Sequence, residues 1–422
     1  MIHLILPNGG ICPQCQLPPG KTCGRPICPR HQRLLRLRRT VRVGGAVMLA
    51  AACLFLYIGR QQGRAAMRNA PIAPKPLSAE AQMMTAVKTH PRLPYCDHWQ
   101  TFTTRDGLPS NEIKSIRVDG KRVWAGTDNG LACLENGKWK TWGVKDGLPH
   151  RVVLALDVDP TTGDLWLGTA GGAARFSGGR FEKFNQLNSG LANDLVYGLT
   201  CYRDNVWIAT AAGVSRFNTR THEWALFNQN NTIMFEPWCY AVSAKDDIVY
   251  VGVWGGGIVE YNLKTGFWRD YHDPDGEMEV TLIKDAGPTH EVVPAISYEN
   301  GRVWAGSYFG LSTYDGRHWK NYFKTDSGLA SDFINFTRAH GDIGWVCTDD
   351  GLSSFDGKTW VTYRTVGGRG EMRIQPQGGK RETRSLGPTL GHNYTFGIDM
   401  QGDSDVWVAT AGGVSHGSAR KI

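Results

Sequence analysis

The first 79 residues of the chain contain no aspartate or glutamate. Twelve lysines and arginines give this stretch a charge of +12, whereas the whole chain carries +8, so residues 80–422 carry a net charge of −4. A strongly basic balance is typical of proteins that bind nucleic acid. Here the basic charge belongs to the N-terminal stretch alone, and we therefore expect no nucleic-acid partner for the larger part of the chain.

Motifs of catalytic sites are also lacking. The sequence contains no G-x-S-x-G elbow, no H-E-x-x-H pair and no glycine-rich phosphate loop. Its histidines and carboxylates are scattered rather than grouped around a nucleophile. We therefore expect a protein that is not an enzyme, and we keep a lyase or a hydrolase as an alternative.

The cysteines do not form the even, regular set that a disulfide framework needs. Five of the ten are spread through the C-terminal three quarters of the chain, at Cys96, Cys133, Cys201, Cys239 and Cys347. An odd number at irregular spacing predicts small buried apolar side chains rather than disulfides.

Four other cysteines are clustered near the N-terminus as C-x2-C-x7-C-x4-C, at Cys12, Cys15, Cys23 and Cys28. In a reducing compartment, four thiolates could complete a tetrahedral zinc site. Few apolar residues surround them, so a structural zinc ion would have to organise the segment. The alternative for residues 1–42 is a disordered basic tail without metal, and no cofactor is expected elsewhere.

One long apolar run carries no charge, the seventeen residues "VGGAVMLAAACLFLYIG" from Val43 to Gly59. This length is close to the minimum for a transmembrane helix, and eight Lys/Arg precede it. The pattern predicts a single-pass anchor in a bacterial inner membrane, with a cytoplasmic N-terminus and a periplasmic remainder. A cleaved signal peptide is the alternative. Residues 60–94 contain a Pro/Ala-rich stretch, which predicts an extended linker.

The sequence is rich in a repeated signature, an apolar pair ending in Trp, followed by any residue, then Gly, Ala or Cys, then Thr or Ser. Copies begin at Trp124, Trp166, Trp207, Trp304, Trp345 and Trp407, with a degenerate copy at Tyr250. The spacing is near forty residues. Short strands at this period, separated by glycine turns, predict an all-β seven-bladed β-propeller over residues 95–416.

A second motif, aromatic-x-x-aromatic, also occurs seven times, but its series is shifted by one repeat relative to the series of Trp signatures. Its first copy, "WQTF" at Trp99, has no signature before it, and the signature at Trp407 has no such copy after it. If each blade has strands A to D in chain order, residues 98–103 supply strand D of the last blade. The N-terminal strand is thus predicted to close the ring, which removes an exposed sheet edge.

The stretch "GLPSNEIKSIRVDGKRVWAGTDNGLACLENGKWKTW" resembles the two-component regulator propeller repeat, and the similarity extends from Asp97 to His416. That family occurs in exported sensor regions of hybrid histidine kinases, so the resemblance implies ligand sensing or protein interaction. This chain departs from the family's arrangement because the membrane segment precedes the blades. No segment is long enough for a kinase, receiver or DNA-binding domain, so phosphotransfer by this chain is not expected.

Strand parity predicts where a site would lie. In antiparallel blades, the D-to-A connections and the B-to-C turns emerge on one face. Two insertions, residues 272–293 and 364–393, are D-to-A connections, so we expect long loops over that face. The predicted ligand-binding residues there are His150, Arg151, Glu236, Trp238, Trp254, His290, Glu291, Tyr308, Phe309 and His392. The alternatives are turn capping for the polar residues and packing of distorted blades for the aromatic ones.

The leading hypothesis is a membrane-anchored periplasmic β-propeller that binds a small ligand or an envelope protein and performs no chemistry. A separate signalling protein could supply its output. The second hypothesis is a scaffold for envelope assembly, and the third is a propeller lyase or hydrolase.

Overall fold

The computed structural model of the chain describes residues 93–274 and 284–419. The predicted cysteine-rich tail, the membrane segment 43–59 and almost all of the linker 60–94 lie outside the described residues. Within the described residues, no helix has the length and apolar character needed to cross a membrane.

The described residues form thirty strands in seven sheets. Blade I contains β2 (Ile113–Asp119), β3 (Arg122–Thr127), β4 (Gly130–Glu135) and β5 (Lys138–Trp142). Blade II contains β6 (Val153–Val158), β7 (Leu165–Thr169), β8 (Gly172–Ser177) and β9 (Arg180–Phe184). Blade III contains β10 (Val196–Tyr202), β11 (Asn205–Thr210), β12 (Gly213–Asn218) and β13 (Trp224–Phe227).

The remaining blades follow the same order along the chain. Blade IV contains β14 (Cys239–Lys245), β15 (Ile248–Val253), β16 (Gly257–Asn262) and β17 (Trp268–Tyr271). Blade V contains β18 (Ala295–Glu299), β19 (Arg302–Ser307), β20 (Gly310–Tyr314) and β21 (Trp319–Tyr322). Blade VI contains β22 (Ile334–His340), β23 (Ile343–Thr348), β24 (Gly351–Phe355), β25 (Thr359–Val366), β26 (Arg369–Pro376) and β27 (Glu382–Leu386). Blade VII contains β28 (Thr395–Gln401), β29 (Asp405–Thr410), β30 (Gly413–Ser418) and β1 (His98–Phe102).

The seven-bladed all-β propeller predicted from the forty-residue period is confirmed. In blade VII, β1 pairs antiparallel with β30, with His98 opposite Ser418 and Phe102 opposite Val414. The first and last strands of the described chain thus belong to one sheet.

The signature Thr or Ser fixes the turn between the second and third strands. In blade II, the Thr169 hydroxyl donates to the Gly172 carbonyl oxygen at 2.6 Å and accepts the Gly171 N–H at 3.1 Å. Gly172 has a φ of 112°, in the left-handed region that favours glycine. The same two hydrogen bonds recur at Thr127, Thr210, Ser307, Thr348 and Thr410.

The hydrophobic core lies between neighbouring blades. Seven apolar clusters each join two adjacent sheets, and a buried aromatic residue of the second strand lies in every one. The small residue of the signature permits this packing: a Cβ on Gly168 would lie 2.5 Å from Cγ1 of Val196 in the next blade. The five cysteines of the propeller are free, and all but Cys201 are buried. The expectation of buried thiols without disulfides is confirmed, except that Cys201 is only half-buried.

Backbone hydrogen bonds also join successive blades on the face of the B-to-C turns. The first residue of the third strand donates its N–H to a carbonyl just before the next blade. In blade I, Gly130 donates to Arg151 at 2.7 Å, and in blade II, Gly172 donates to Asp194 at 2.6 Å. Blades IV, V and VI repeat the bond through Gly257, Gly310 and Gly351, at 2.8–2.9 Å.

The prediction of a loop at residues 364–393 is wrong. Most of this insertion forms β26, β27 and the end of β25, which widen blade VI to six strands. The pair Gly367–Gly368, with φ values of 56° and 77°, makes the tight turn that returns the chain along β25. Met372 and Ile374 alternate inward and are buried. The insertion therefore extends a sheet outward instead of covering the channel.

Candidate ligand site at the channel mouth

A β-bulge near the start of the first strand is repeated in six of the seven described blades. Strand pairing skips the second residue of that strand, because the register shifts there. A bulge leaves its extra residue outside the ladder and turns the side chain in a new direction. The second residues of these strands are Lys114, Leu154, Tyr197, Tyr240, Asn335 and Phe396.

The first strands of all seven blades line one central channel with a volume of about 420 Å³. The bulged residues contribute to its wall, and blade V contributes Pro294 at the same place. Since these strands begin at the D-to-A connections, the bulged residues lie toward the face on which the sequence predicted a site. We call this end of the channel the mouth.

Three equivalent positions in each blade bring aromatic side chains to the mouth. They are the residue before the first strand, the bulged residue, and the first residue of the turn between the second and third strands. In blades III to VII these positions hold eight aromatic residues: Tyr197, Trp238, Tyr240, Trp254, Tyr308, Phe333, Tyr394 and Phe396. All are half-buried except Trp238, which is 50% exposed.

Five of these side chains form a continuous series of ring contacts, which we call the aromatic arc. Tyr197 stacks on Tyr240 with ring centroids 4.1 Å apart, and Tyr240 contacts Trp254 at 5.0 Å. Trp254 meets Tyr308 in an edge-to-face contact at 5.7 Å, and Tyr308 stacks on Phe333 at 4.0 Å. The arc thus runs from blade III to blade VI along one side of the mouth.

Two tyrosines of the arc, Tyr240 and Tyr308, are neutral near neutral pH. Burial raises the pKa of Tyr240 above its ordinary value, and a hydrogen bond with Tyr197 adds to this shift. Burial likewise raises the pKa of Tyr308. Their rings therefore present phenol rather than phenolate groups to a ligand.

Charged residues lie at the same positions in blades I and VI. The Lys114 ammonium pairs with Glu112 and lies 4.5 Å from the ring centroid of Phe396. Asp128 and Asp349 occupy the turn position that holds Trp254 and Tyr308 in blades IV and V.

The predicted histidines have a local role in the D-to-A segments. His150, His290 and His392 each accept, through Nδ1, the N–H of the residue two positions later, at 3.1, 2.9 and 2.9 Å. Ser110 and Asn193 accept the equivalent N–H in blades I and III. Turn capping therefore accounts for one nitrogen of each histidine ring. Among residues 93–274 and 284–419, no three His, Cys, Asp or Glu side chains are grouped to hold a metal ion.

His290 is the most buried of the three, at 2% exposure, and its ring lies 4.4 Å from that of Phe309. Burial lowers the pKa of His290 because it disfavours the charged imidazolium. The two predicted residues His290 and Phe309 are thus in contact with each other.

Glu291 belongs to a charged cluster at the base of the insertion between blades IV and V. It lies 2.9 Å from Nδ1 of His272, and Asp270 lies 2.8 Å from Nε2 of the same ring. Burial alone would lower the pKa of His272, but the hydrogen bonds with Asp270 and Glu291 raise it to about 9. His272 is therefore an imidazolium at neutral pH. Sequence reasoning missed it, although it follows directly after β17.

The other predicted residues are exposed or peripheral. Arg151 is exposed and donates to the carbonyl oxygen of Asp128 at 2.9 Å. Glu236 is also exposed, and the carbonyl oxygen of Trp238 accepts the Trp254 N–H at 2.8 Å. Of the ten predicted residues, the structure places Trp254 and Tyr308 in the arc.

The opposite end of the channel carries an ion-pair network of two buried carboxylates and two partly buried arginines. Arg117 lies 2.9 Å from Asp157 and 3.1 Å from Asp399, and Arg338 lies 3.3 Å from Asp399. Burial opposes ionisation of Asp399, but Arg338 and Arg117 keep its pKa below the ordinary value. Two cations and two anions therefore neutralise one another across blades VI, VII, I and II.

At the same level, side chains of one blade accept backbone N–H groups of the next. Asp157 accepts the Cys201 N–H and Asp399 accepts the Val118 N–H, both at 2.8 Å. Ser243 accepts the Tyr298 N–H at 3.0 Å, and Ser297 does the same for Ala339 at 2.7 Å. We call this set of contacts the polar belt.

No protein-family model matches the sequence, and no curated protein matches it. Two solved structures of the extracellular domain of BT4673 from B. thetaiotaomicron, described as a hybrid two-component system and as a one-component system, are 16% and 15% identical to this chain. Their TM-scores are 0.56 and 0.57, and each match covers 78% of this chain. This chain spans only 40% and 41% of those two chains.

A streptogramin B lyase structure is also similar, with 14% identity and a TM-score of 0.54 over 76% of this chain and 98% of the lyase. At these identities, the likenesses establish the fold. The described residues form a seven-bladed β-propeller and contain no kinase domain.

Proposed function

We propose that this protein is a membrane-anchored, exported β-propeller that recognises a ligand or a protein partner at the channel mouth and performs no chemistry itself. The observation that carries the proposal is the aromatic arc, a series of five half-buried rings of which Tyr197, Tyr240 and Tyr308 line the channel. Pockets with mostly apolar walls and a few placed polar groups are typical of binding sites.

The similarity to the extracellular domain of a two-component system supports a sensing role. By this analogy, ligand binding outside the membrane would be reported to a separate signalling protein. Bulges and turns of a rigid sheet scaffold hold the residues of the mouth in place. Such an arrangement favours recognition of a ligand over a purely structural role.

The location proposed for the propeller is the periplasm, with residues 43–59 as the inner-membrane anchor and the N-terminus in the cytoplasm. Protease added to spheroplasts should degrade the propeller and leave a fragment that contains the N-terminal tail. Protection of the propeller in intact spheroplasts would contradict this orientation. A cleaved leader would appear as a mature protein that lacks the apolar run 43–59 together with the residues before it.

We also propose that β1 closes the propeller. The antiparallel pairing of β1 with β30 supports this arrangement, and so does the buried contact of Leu93 and Cys96 with the cluster between blades VI and VII.

A thermal-shift screen of the full chain in detergent tests the recognition role. Ligands or partners that bind at the mouth should raise the melting temperature by a few degrees, because saturation at 100 times Kd adds about 2.7 kcal/mol of stability. The shift should disappear in Tyr240→Ala and persist in Phe267→Ala. Phe267 is a matched control, since it is 51% exposed in the turn between β16 and β17 on the opposite face.

If every stabilising compound also stabilises Tyr240→Ala, the mouth is not the site. Enzymatic conversion of a bound compound by the wild type would move the assignment to the lyase or hydrolase alternative. Recovery of one stoichiometric envelope protein that still binds Tyr240→Ala would favour the scaffold alternative.

A further inference from the structure

We infer that the ligand of the channel mouth carries an organic cation, an alkylammonium group bound against the aromatic arc near Trp254. This inference rests on the proposed recognition role of the mouth and adds the chemical class of the ligand.

The rings of the arc are the first reason. The face of an aromatic ring has a negative electrostatic potential, and Trp attracts a cation most strongly, followed by Tyr and Phe. The arc contains Trp254 between Tyr240 and Tyr308, so the best cation acceptor has a second ring on either side. Both tyrosines remain uncharged, so a ligand cation would be attracted by the faces of their rings and not by a phenolate charge.

The second reason is that the mouth already holds one ammonium in this way. The Lys114 ammonium lies 4.5 Å from the Phe396 ring centroid, well inside the distance at which cation–π attraction operates. Phe396 occupies the bulged position in blade VII, as Tyr240 does in blade IV. A ring at the bulged position therefore lies where an ammonium group at the channel mouth can contact its face.

The third reason is the distribution of charge around the arc. Lys114 is paired with Glu112, and Arg151 donates to a backbone carbonyl. Asp349 is exposed at the turn position equivalent to that of Tyr308, and Glu236 is exposed two residues before Trp238. An anionic ligand would meet carboxylates and negative ring faces, whereas a cation is attracted by both.

The size of the site allows a substituted ammonium rather than a bare ion. The channel volume of about 420 Å³ lies within the range of small-molecule pockets. The substituent would extend from the arc into the channel, toward the internally neutralised charges of Arg117 and Asp399.

Isothermal titration of the full chain in detergent tests the inference with three probes. Choline supplies a free trimethylammonium group, and 3,3-dimethylbutan-1-ol is its uncharged isostere of similar shape. A capped tri-lysine peptide supplies the same type of charge from a polypeptide. We expect choline or the peptide to bind at least tenfold more tightly than the uncharged isostere, and the better of the two identifies the source.

Two variants locate the site. Trp254→Leu keeps an apolar side chain but removes the ring, and it should weaken cation binding about tenfold because the cation–π contact is lost. Asp349→Asn should weaken cation binding several-fold and reduce its salt dependence. Phe267→Leu on the opposite face should leave the affinity unchanged.

Equal affinity for choline and its isostere, or the absence of binding by both cationic probes, would overturn the inference. A neutral compound from the thermal-shift screen that requires Tyr240 would also overturn it, while leaving the proposed recognition role intact. If no ligand or partner depends on the arc for binding, both the proposed recognition role and the inference of a cationic ligand are wrong.

Discussion

The signature Thr and Ser residues show how one side chain can determine a turn. A hydroxyl group both donates and accepts, so Thr169 satisfies a carbonyl oxygen and an N–H group within one turn. The bond to the Gly172 carbonyl is buried, the bond from the Gly171 N–H is partly buried, and Thr169 itself is inaccessible to solvent. This explains why the motif ends in Thr or Ser followed by a glycine three residues later.

The variant Thr169→Val should lower the free energy of unfolding by about 1–3 kcal/mol, because it removes the partner of the buried Gly172 carbonyl and of the partly buried Gly171 N–H while preserving side-chain volume. Urea denaturation measures the change. Thr169→Ser keeps the hydroxyl that blade V uses natively at Ser307, and it should be less destabilising than valine. Equal losses for both variants would show that the hydroxyl is unimportant.

His272 gives the propeller a pH-dependent component of stability. Its folded-state pKa of about 9 exceeds the ordinary value of 6.5, so folding favours the protonated form. The resulting stabilisation is fully present below pH 6.5 and is lost as the pH rises toward 9. The loss should be at most about 3 kcal/mol.

Urea denaturation between pH 6 and pH 9 tests this expectation against His272→Gln, whose side chain does not titrate. Stability of the wild type should fall more steeply with pH than that of the variant. Parallel curves would mean that the pKa of His272 is not raised in the folded protein.

At the scale of single elements, two features were not evident from the regular alternation of side chains between the two faces of a strand. They are the bulged first strands and the insertion in blade VI. Trp254 and Tyr308 were predicted because they follow the signature directly. Tyr197 and Tyr240 were missed because alternation alone does not reveal a bulge. Alignment of the seven first strands offers a signal, since their second position varies widely in size and polarity while the flanking positions stay small or apolar.

The hairpin β26–β27 was mistaken for a loop because glycine-rich segments on both sides obscured the short alternating run "RGEMRIQP". The structure shows what the hairpin β26–β27 packs against. Met372 and Ile374 of β26 belong to the same buried cluster as Leu93 and Cys96, at the start of the described chain. The hairpin therefore helps to cover the segment that leads into β1.

Deletion of residues 367–387 should expose this segment. Cys96 is now inaccessible, and burial raises the pKa of its thiol to about 12, so alkylation is slow. In the deletion variant, iodoacetamide should modify Cys96 at least tenfold faster, as followed by peptide mass spectrometry. Cys239 in blade IV serves as an internal control whose rate should not change. Unchanged protection of Cys96 would show that β26 does not shield it.

At the scale of the whole molecule, seven similar sheets were predictable because the signature is local and recurs in each blade. The ion-pair network and the polar belt were not predictable, since both depend on which residues of neighbouring blades meet. Arg117, Asp157 and Asp399 are far apart in sequence and meet only after the propeller forms. Their charges would be costly to bury singly and are stable there because they are paired.

A disulfide across the proposed closure tests the arrangement of the whole propeller. Thr101 lies opposite Ser415, with their hydroxyl oxygens 3.2 Å apart. The double variant Thr101→Cys/Ser415→Cys should form an intramolecular disulfide on mild oxidation and raise the melting temperature by several degrees, because it restrains a very long loop in the unfolded state. Peptide mapping identifies the crosslink.

The control pairs Thr101→Cys with Ser177→Cys in blade II, where no strand pairing brings the two residues together. It should not form the bond. Crosslinks between molecules in the first variant would indicate that β1 completes the blade of a second copy instead.

The backbone hydrogen bonds between blades have a consequence for how such a protein diversifies. Where Gly130 or Gly172 donates to a neighbouring carbonyl, the side chain of the accepting residue takes no part in the bond. Substitutions at the exposed Arg151 can therefore alter what this face recognises while blades I and II remain joined, whereas Asp194 also accepts the Gln186 N–H through its carboxylate and is more constrained. Selection for a new specificity would therefore meet fewer structural constraints at Arg151 than at Asp194, and relatives should differ more at the first of these two positions.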